Sequence, residues 1–426
     1  MFESLHAKIS SLIHYHREKD PKKNAEATDD DDGSSGNWDY RIVFKRAEGV
    51  AIGDILTSDP FLEAYLGPVE DLHTLSFITG VHWNTRNPVW DAVWTLLDVP
   101  EGTELDMYVK DKDKMKVDTP LGKASLTLRG ELEGTREHEL DLFREDGRKK
   151  GRVFVETIAT RSRRKSTKIS TKGPVRFSRH TSYAAGVLTR ENKFEFYAYR
   201  ARLYNLADVF GTDRAHYQHW NTNYDAAKRI FADNLEGQQI RSALHSQHSY
   251  LYRHNRTTVY GALTTASDLG TLLHGERLKK NPSENLMMVV FTYSIIPKGM
   301  YFSETGAAFF QDFMSKHAMH ANRATEVMYS GEFRFFQDAK NHNDWTLMID
   351  NNSGTYSPKK EDLPKVKKIF ELNFPDLVVI ALDHDDPRLK EIRAETKQVE
   401  AVVAQQQKER FSLFSSLKHT PEEVEP

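Results

Sequence analysis

Two groups of side chains in this chain have the types and spacing for chemistry. The first is acidic. Asp54 and Asp59 bracket one loop, and Asp111, Asp113 and Asp118 crowd a second one further along. Both loops lie between runs that alternate like β-strands, Tyr40–Lys45 and Phe61–Leu66 around the first, Leu105–Val109 and Lys123–Leu128 around the second. Carboxylates gathered at one end of a β-sandwich suit a hard cation such as calcium, which takes six to eight oxygen ligands. Without a cation, each pair of like charges at ~4 Å costs about 1–4 kcal/mol at effective dielectrics of 80 down to 20. Asp54, Asp59, Asp111, Asp113 and Asp118 are therefore the candidate metal ligands. Ile55, Leu56 and Met115 sit at the loop tips among Lys112, Lys114 and Lys116. That mixture suits contact with a membrane, where each lysine near an anionic surface contributes about 1 kcal/mol.

The second group lies in the C-terminal half. His317 and His320 are three apart on an expected helix, and Glu332, Ser353 and Tyr356 follow. His320, Glu332, Ser353 and Tyr356 are the candidates for acid–base or nucleophilic catalysis. They match no defined signature, neither HExxH nor GxSxG nor a phosphate-cradling glycine loop. A capping serine and hydrogen-bonded histidines account for the same residues, and the sequence leaves open whether the chain is an enzyme.

The elements that must position these groups follow from pattern and punctuation. Met1–Glu18 carries Phe2, Leu5, Ile9, Leu12 and Ile13 at helical spacing, an amphipathic helix rather than a signal peptide's apolar core. Residues 19–36, with Asp29–Asp32 and Gly-Ser-Ser-Gly, form an acidic flexible linker. Short alternating strands broken by turn residues fill 37–160, the pattern of a β-sandwich. A basic linker spans 161–172, and its lysines and arginines are a second attraction for acidic lipid. An α+β domain is expected over 173–387 and a helical, then disordered, tail over 388–426. Within the α+β domain, Trp345–Ile349, a polar loop, a helix entered at Ser357-Pro358 and the strand Leu377–Leu382 make a βαβ unit, whose first loop is the usual place for a ligand.

Composition sets bounds. The 426 residues, 38% of them hydrophobic, suffice for two or three ordinary cores. A net charge of −3 argues against a general nucleic-acid binder. With no cysteine, disulfides, thiolate metal sites and a cysteine nucleophile are excluded. The longest apolar run, Leu286–Ile296, is too short to span a bilayer, so the expectation is a cytoplasmic protein with peripheral membrane contact.

Several motifs in order carry a family resemblance. Ser58-Asp59-Pro60-Phe61, Asn87-Pro88-Val89-Trp90, Asp111-Lys112-Asp113 with Leu121-Gly122, and the closing strand Gly151–Ile158 together resemble a C2 domain. The resemblance implies an eight-stranded antiparallel sandwich that binds phospholipid, in many members through calcium held between the top loops. Asp59, Asp111 and Asp113 match the family's ligand positions. The loop holding Asp54 is one residue short, and Thr119 stands where the family places a further aspartate, with Asp118 one place early. That departure implies one ion or a lower affinity rather than a full multi-ion site. The C-terminal stretch is also similar to a module of uncharacterised proteins in which a tight turn often reads Ser-Gly-His-Tyr; here Thr355 replaces the histidine. The expected architecture is thus an all-β C2-like sandwich followed by a separate α+β domain. The expected function is anionic phospholipid binding by the sandwich, with calcium as the candidate cofactor, recruiting the α+β domain to membranes. The alternatives are an enzyme acting on a lipid or small molecule, and a protein–protein scaffold without lipid binding. The sequence identifies no protein partner.

Overall fold

A computed structural model describes residues 36–53, 57–68, 73–113, 118–130, 134–163, 169–182, 196–213, 223, 225–274, 289–304, 327–337, 345–352 and 358–394. Of the expected elements, the N-terminal helix, nearly all of the acidic linker and most of the tail lie outside these residues.

Eight strands build the N-terminal sandwich: β1 Trp38–Glu48, β2 Pro60–Leu66, β3 Leu75–Ile78, β4 Val89–Val99, β5 Thr103–Asp111, β6 Thr119–Leu128, β7 Gly134–Phe143 and β8 Lys149–Arg161. Their order is β3-β2-β5-β6 in one layer and β7-β8-β1-β4 in the other, all antiparallel. The layers meet at the single pair Lys123–Phe143 between β6 and β7, where the sheet folds over. A β-carbon at Gly122 would meet that of Leu142 at 3.0 Å, so the smallest residue sits where the layers turn. Period-two alternation decides which side chains enter the core. On β8, Val153, Val155 and Ala159 are buried. At the centre Phe77 stacks on Phe44 at 5.4 Å and on Trp94 at 5.5 Å.

The interval expected as a basic linker is structured at both ends. Arg161 closes β8, and β9 (Ser170–Gly173) pairs with Thr95–Leu97 of β4. The Thr171 hydroxyl donates to the Thr95 carbonyl at 2.7 Å and fixes that register.

The chain then enters a second sheet of β10 Val175–Ser182, β11 Phe196–Ala201, β12 Val259–Leu263, β13 Val289–Ile296, β14 Gly299–Glu304, β15 Tyr329–Gln337, β16 Trp345–Ile349 and β17 Val378–Ala381. Its order is β12-β10-β11-β14-β13-β15-β16-β17, antiparallel except for the parallel pair β16–β17. Helices α1 Leu206–Phe210, α2 Asp225–Phe231, α3 Leu235–Leu251, α4 Ala266–His274 and α5 Leu363–Asn373 accompany it. One face carries Tyr199, Phe291, Phe302, Phe333 and Phe335 into a core shared with Leu269, Val366 and Phe370 of the helices. On the opposite face the β15–β17 end has a smaller core of Phe336, Met348, Ile380, Leu389 and Ile392. At the β10–β12 end the same face is polar and turns toward the sandwich. The expected βαβ unit is present as β16–α5–β17. Its helix begins at Leu363 after a 3₁₀ turn at Lys360–Asp362, with Pro364 in the first turn, where its missing N–H costs nothing.

Candidate functional site

The loop between β1 and β2 is tied from within. The Ser58 hydroxyl, fully buried, accepts from the Gly53 N–H at 2.8 Å and donates to the Ala51 carbonyl at 2.9 Å. This sets Asp59 beside β5. The Asp59 N–H donates to the Asp111 carboxylate at 2.5 Å, and the Lys112 N–H returns to the Asp59 carbonyl at 3.0 Å. An Asp59 oxygen accepts from the Asn84 N–H at 2.7 Å, which brings the loop between β3 and β4 to the same end. Asp113 and Asp118 face each other across the β5–β6 loop. The Asp113 N–H donates to Asp118 at 3.2 Å, and the Thr119 hydroxyl donates to Asp113 at 2.7 Å. The Lys112 ammonium sits on Asp118 at 3.0 Å and 5.6 Å from the centre of the Phe61 ring.

The structure therefore brings Asp59 to Asp111 and Asp113 to Asp118. Asp54, Ile55, Leu56, Lys114, Met115 and Lys116 lie outside the described residues. A residue the sequence reading passed over, Ile52, stands 49% exposed at this end. For a hard cation, Asp59 and Asp113 each keep one oxygen with no hydrogen bond among the described residues, whereas Asp118 is available only once Lys112 leaves it. Among the described residues three potential ligands come together only at Asp383, His384 and Asp385, on the exposed loop after β17, where Lys390 already pairs with Asp385. At the loop end the described carboxylates come together in pairs, Asp59 with Asp111 and Asp113 with Asp118, and Thr119 acts as a hydrogen-bond donor.

The catalytic candidates fare differently. His320, Ser353 and Tyr356 lie outside the described residues. Glu332, on β15, is held by Arg334 at 3.2 Å and by Arg393 at 3.5 Å. Beside it, Asp350 is fully buried and accepts from Arg334 at 2.7 Å, Arg393 at 2.9 Å, the Glu332 N–H at 3.2 Å and the Asn352 N–H at 2.8 Å. A β-carbon at Gly331 would run into the Asp350 carbonyl oxygen, so glycine is required for this approach. Both oxygens of Asp350 are engaged, and this knot holds the end of β16 rather than offering a group to a substrate.

A third cluster has no counterpart in the sequence reading. On the polar face of the second sheet, Tyr260, Ser178, Arg200 and Tyr301 form one row across β12, β10, β11 and β14. Arg176 and Arg202 lie in the next row. Arg176 donates through Nε to the Ile78 carbonyl at 3.2 Å, and Arg202 through Nε to the Ser76 carbonyl at 3.1 Å and through Nη2 to the Ser76 hydroxyl. Both arginines thus dock onto β3 of the sandwich, and Asp208 of α1 joins His73 at 2.9 Å. A cleft of about 220 Å3 remains between the two sheets, walled by Phe61, Glu63, Tyr65 and Lys112 on one side and by the Arg176–Tyr260 cluster on the other.

His180 and His254 stand behind this wall with ring centres 5.0 Å apart. His180 bonds Ser178 at 2.8 Å and the Arg253 carbonyl at 3.2 Å, an arrangement resembling a nucleophile and its base. Burial, with the nearby charges of Arg200 and Lys112 adding to it against the Arg253 bond, pulls His180 down to about 3. Such an imidazole is weaker as a base by roughly three powers of ten than a solvated one. His180 is thus poorly suited to deprotonate Ser178. His254, bonded to the Tyr260 hydroxyl at 2.6 Å, is likewise pushed well below the ordinary histidine range by burial. Both rings are therefore neutral near pH 7.

A two-layer antiparallel sandwich of eight strands, with its acidic loops at one end, is the architecture of a C2-type β-module. The sequence profile of the C2 domain family matches residues 38–142, and this part of the chain is a C2 domain. The match covers a minority of the chain. Among solved structures, the chain is similar to a C2 domain of a plant Extended Synaptotagmin 1, at 19% identity and a TM-score of 0.26 over 30% of this chain and 96% of that one. It is similar to another solved C2 domain at 22% identity and a TM-score of 0.24, over 29% and 98%. Against human GIVD cytosolic phospholipase A2 the identity is 16% and the TM-score 0.26, over 35% of this chain and 22% of that one. The assignment rests on the profile match and the strand order rather than on these likenesses. No curated protein matches the chain.

Proposed function

We propose that the chain is a cytoplasmic, peripheral membrane protein whose C2 domain binds anionic phospholipid and carries the α+β domain to the membrane surface. C2 domains are typically membrane- or lipid-binding, and no helix among the described residues is long and apolar enough to cross a bilayer. The observation that carries the reading is the loop end itself. There an exposed Ile52 stands on the same end as Asp59, Asp111, Asp113 and Asp118, with Lys112 among them. Burying the open half of one isoleucine side chain among lipid headgroups contributes about 1 kcal/mol, and one lysine near an anionic surface about as much. Neither is enough alone, and a cation held by the acidic residues would add to them. Calcium, when bound, supplies positive charge at this end.

The test is co-sedimentation of the full chain with vesicles, with and without phosphatidylserine, in calcium and in chelator. The full chain is used because β9 and the two docking arginines complete the sandwich's surroundings. Pelleting that needs both phosphatidylserine and calcium is the expected result. Pelleting in chelator assigns binding to Ile52 and the lysines; no pelleting in either condition overturns the proposal and favours a protein-binding scaffold.

A further inference from the structure

We infer that the cleft between the C2 domain and the second sheet is a binding site for a compact phosphate-bearing ligand, held by Arg176, Arg200, Arg202 and Lys298. The charge balance of the walls is the starting point. Lys112, Arg176, Arg200, Arg202 and Lys298 line the cleft against only two carboxylates, Glu63 and Asp118. Both carboxylates are already engaged, Glu63 by Lys110 at 2.7 Å and by the Tyr65 hydroxyl at 2.7 Å, Asp118 by Lys112 at 3.0 Å. Among the described residues, no carboxylate lies within ion-pair distance of Arg176, Arg200, Arg202 or Lys298. Five cations against two carboxylates in a partly desolvated cleft leave an excess of positive charge, even with Glu63 acting on Arg202, and a ligand of opposite sign lowers the cost of that excess.

The guanidinium groups are also prepared for it. Arg176 and Arg202 are anchored through Nε on β3 carbonyls, which leaves the terminal nitrogens of Arg176 and Nη1 of Arg202 without a protein acceptor among the described residues. Arg200 lies over the Tyr301 ring at 5.0 Å, with Nη1 3.5 Å from His254. A guanidinium fixed in this way loses little freedom on binding, and its fork matches oxyanion geometry. Several such groups around one cleft exceed what a single carboxylate can satisfy, whereas a phosphate monoester offers three terminal oxygens and up to two charges. The volume selects a small molecule, since about 220 Å3 is below the roughly 300–1,000 Å3 of drug-sized sites. Phe61, Tyr65, Phe177, Tyr260 and Tyr301 supply the apolar part of the wall. The site draws residues from both units and does not depend on docking of the loop end. Its phosphate can come from a soluble ester or from a lipid headgroup.

The experiment titrates the full chain calorimetrically with glycerol 3-phosphate and with inorganic phosphate, and in parallel with vesicles carrying phosphatidic acid, each in chelator. The variant is Arg200→Gln with Lys298→Gln, both exposed and therefore compatible with folding. The expected result is saturable binding of glycerol 3-phosphate that inorganic phosphate displaces, that weakens with added salt, and that falls at least about tenfold in the double variant. Binding confined to phosphatidic acid vesicles supports the site with a lipid source, provided Arg200→Gln with Lys298→Gln abolishes it and Ile52→Asp does not. Binding of either probe that is unchanged in the double variant overturns the inference, as does the absence of binding to both. Vesicle binding lost in Ile52→Asp but kept in the double variant overturns the cleft while leaving the loop-end proposal standing.

Discussion

The loop end of the C2 domain and the buried knot around Asp350 are both acidic sites, and they are neutralised in opposite ways. At Asp350 two guanidinium groups from β15 and the chain after β17 close on one carboxylate, and backbone N–H groups take its remaining capacity. At the loop end the partners are backbone N–H groups, one hydroxyl and one lysine. A guanidinium fork inside the protein is a fixed part of the fold, whereas a lysine on a flexible stem can be exchanged for another cation. The first arrangement serves shape; the second, on the proposed reading, leaves its carboxylates open to another cation.

Breaking the knot has the largest expected effect. Asp350→Asn leaves Arg334, which is 3% exposed, as a buried cation with half its partners, and should cost ~3–5 kcal/mol, read from denaturant unfolding. A loss under about 1 kcal/mol would mean the knot is not structural. Acidification comes next. The folded value of His180, about 3, lies below the unfolded value near 6.5, so the unfolded chain binds the extra proton in between. Stability is full above pH ~6.5 and is lost as the pH falls toward 3, with ~2 kcal/mol gone by pH 5 from His180 alone. His254 shifts in the same direction and adds to the loss. Unfolding curves of wild type and His180→Gln between pH 7 and 5 should converge; parallel curves would count against the assignment.

The loop end answers to smaller changes. Asp59→Asn with Asp111→Asn should weaken calcium-dependent vesicle binding at least tenfold, ~1.4 kcal/mol, with little effect on binding in chelator. Lys112→Met should sharpen the contrast with the knot. By freeing Asp118 it should raise calcium affinity a few-fold, about 0.5–1 kcal/mol, measured by calcium titration. An unchanged affinity would show that Lys112 does not compete with the ion.

The sandwich was legible because each strand alternates cleanly between turn residues, and the motifs around Asp59, Asn87 and Asp111 fall in the family's order. The strands Trp345–Ile349 and Val378–Ala381 were legible for the same reason. The start of the intervening helix was not, because Pro358 and Pro364 are both acceptable first-turn residues and only the 3₁₀ turn at Lys360–Asp362 separates them. Ile52 escaped notice because it precedes the aspartates instead of lying between them. The cleft was hidden for a different reason. Tyr260, Ser178, Arg200 and Tyr301 become neighbours only through strand register, which no local pattern encodes. The one available signal was Arg176, Ser178 and His180 at period two against Val175 and Phe177, and such a strand ordinarily faces water.

The strand β9 and the two arginines on β3 have a consequence for the life of the protein in concentrated solution. The nine-stranded order ends in β3 on one side and in β9, laid over Thr95–Leu97, on the other. The carbonyls of Ser76 and Ile78 on β3 are already taken by guanidinium donors. Open strand borders are templates on which chains add to one another and precipitate. Here the molecule blunts both borders with segments that follow β8, β9 on one side and Arg176 and Arg202 on the other. A fragment cut after β8 would lose both guards at once, and should self-associate under conditions in which the full chain stays dispersed.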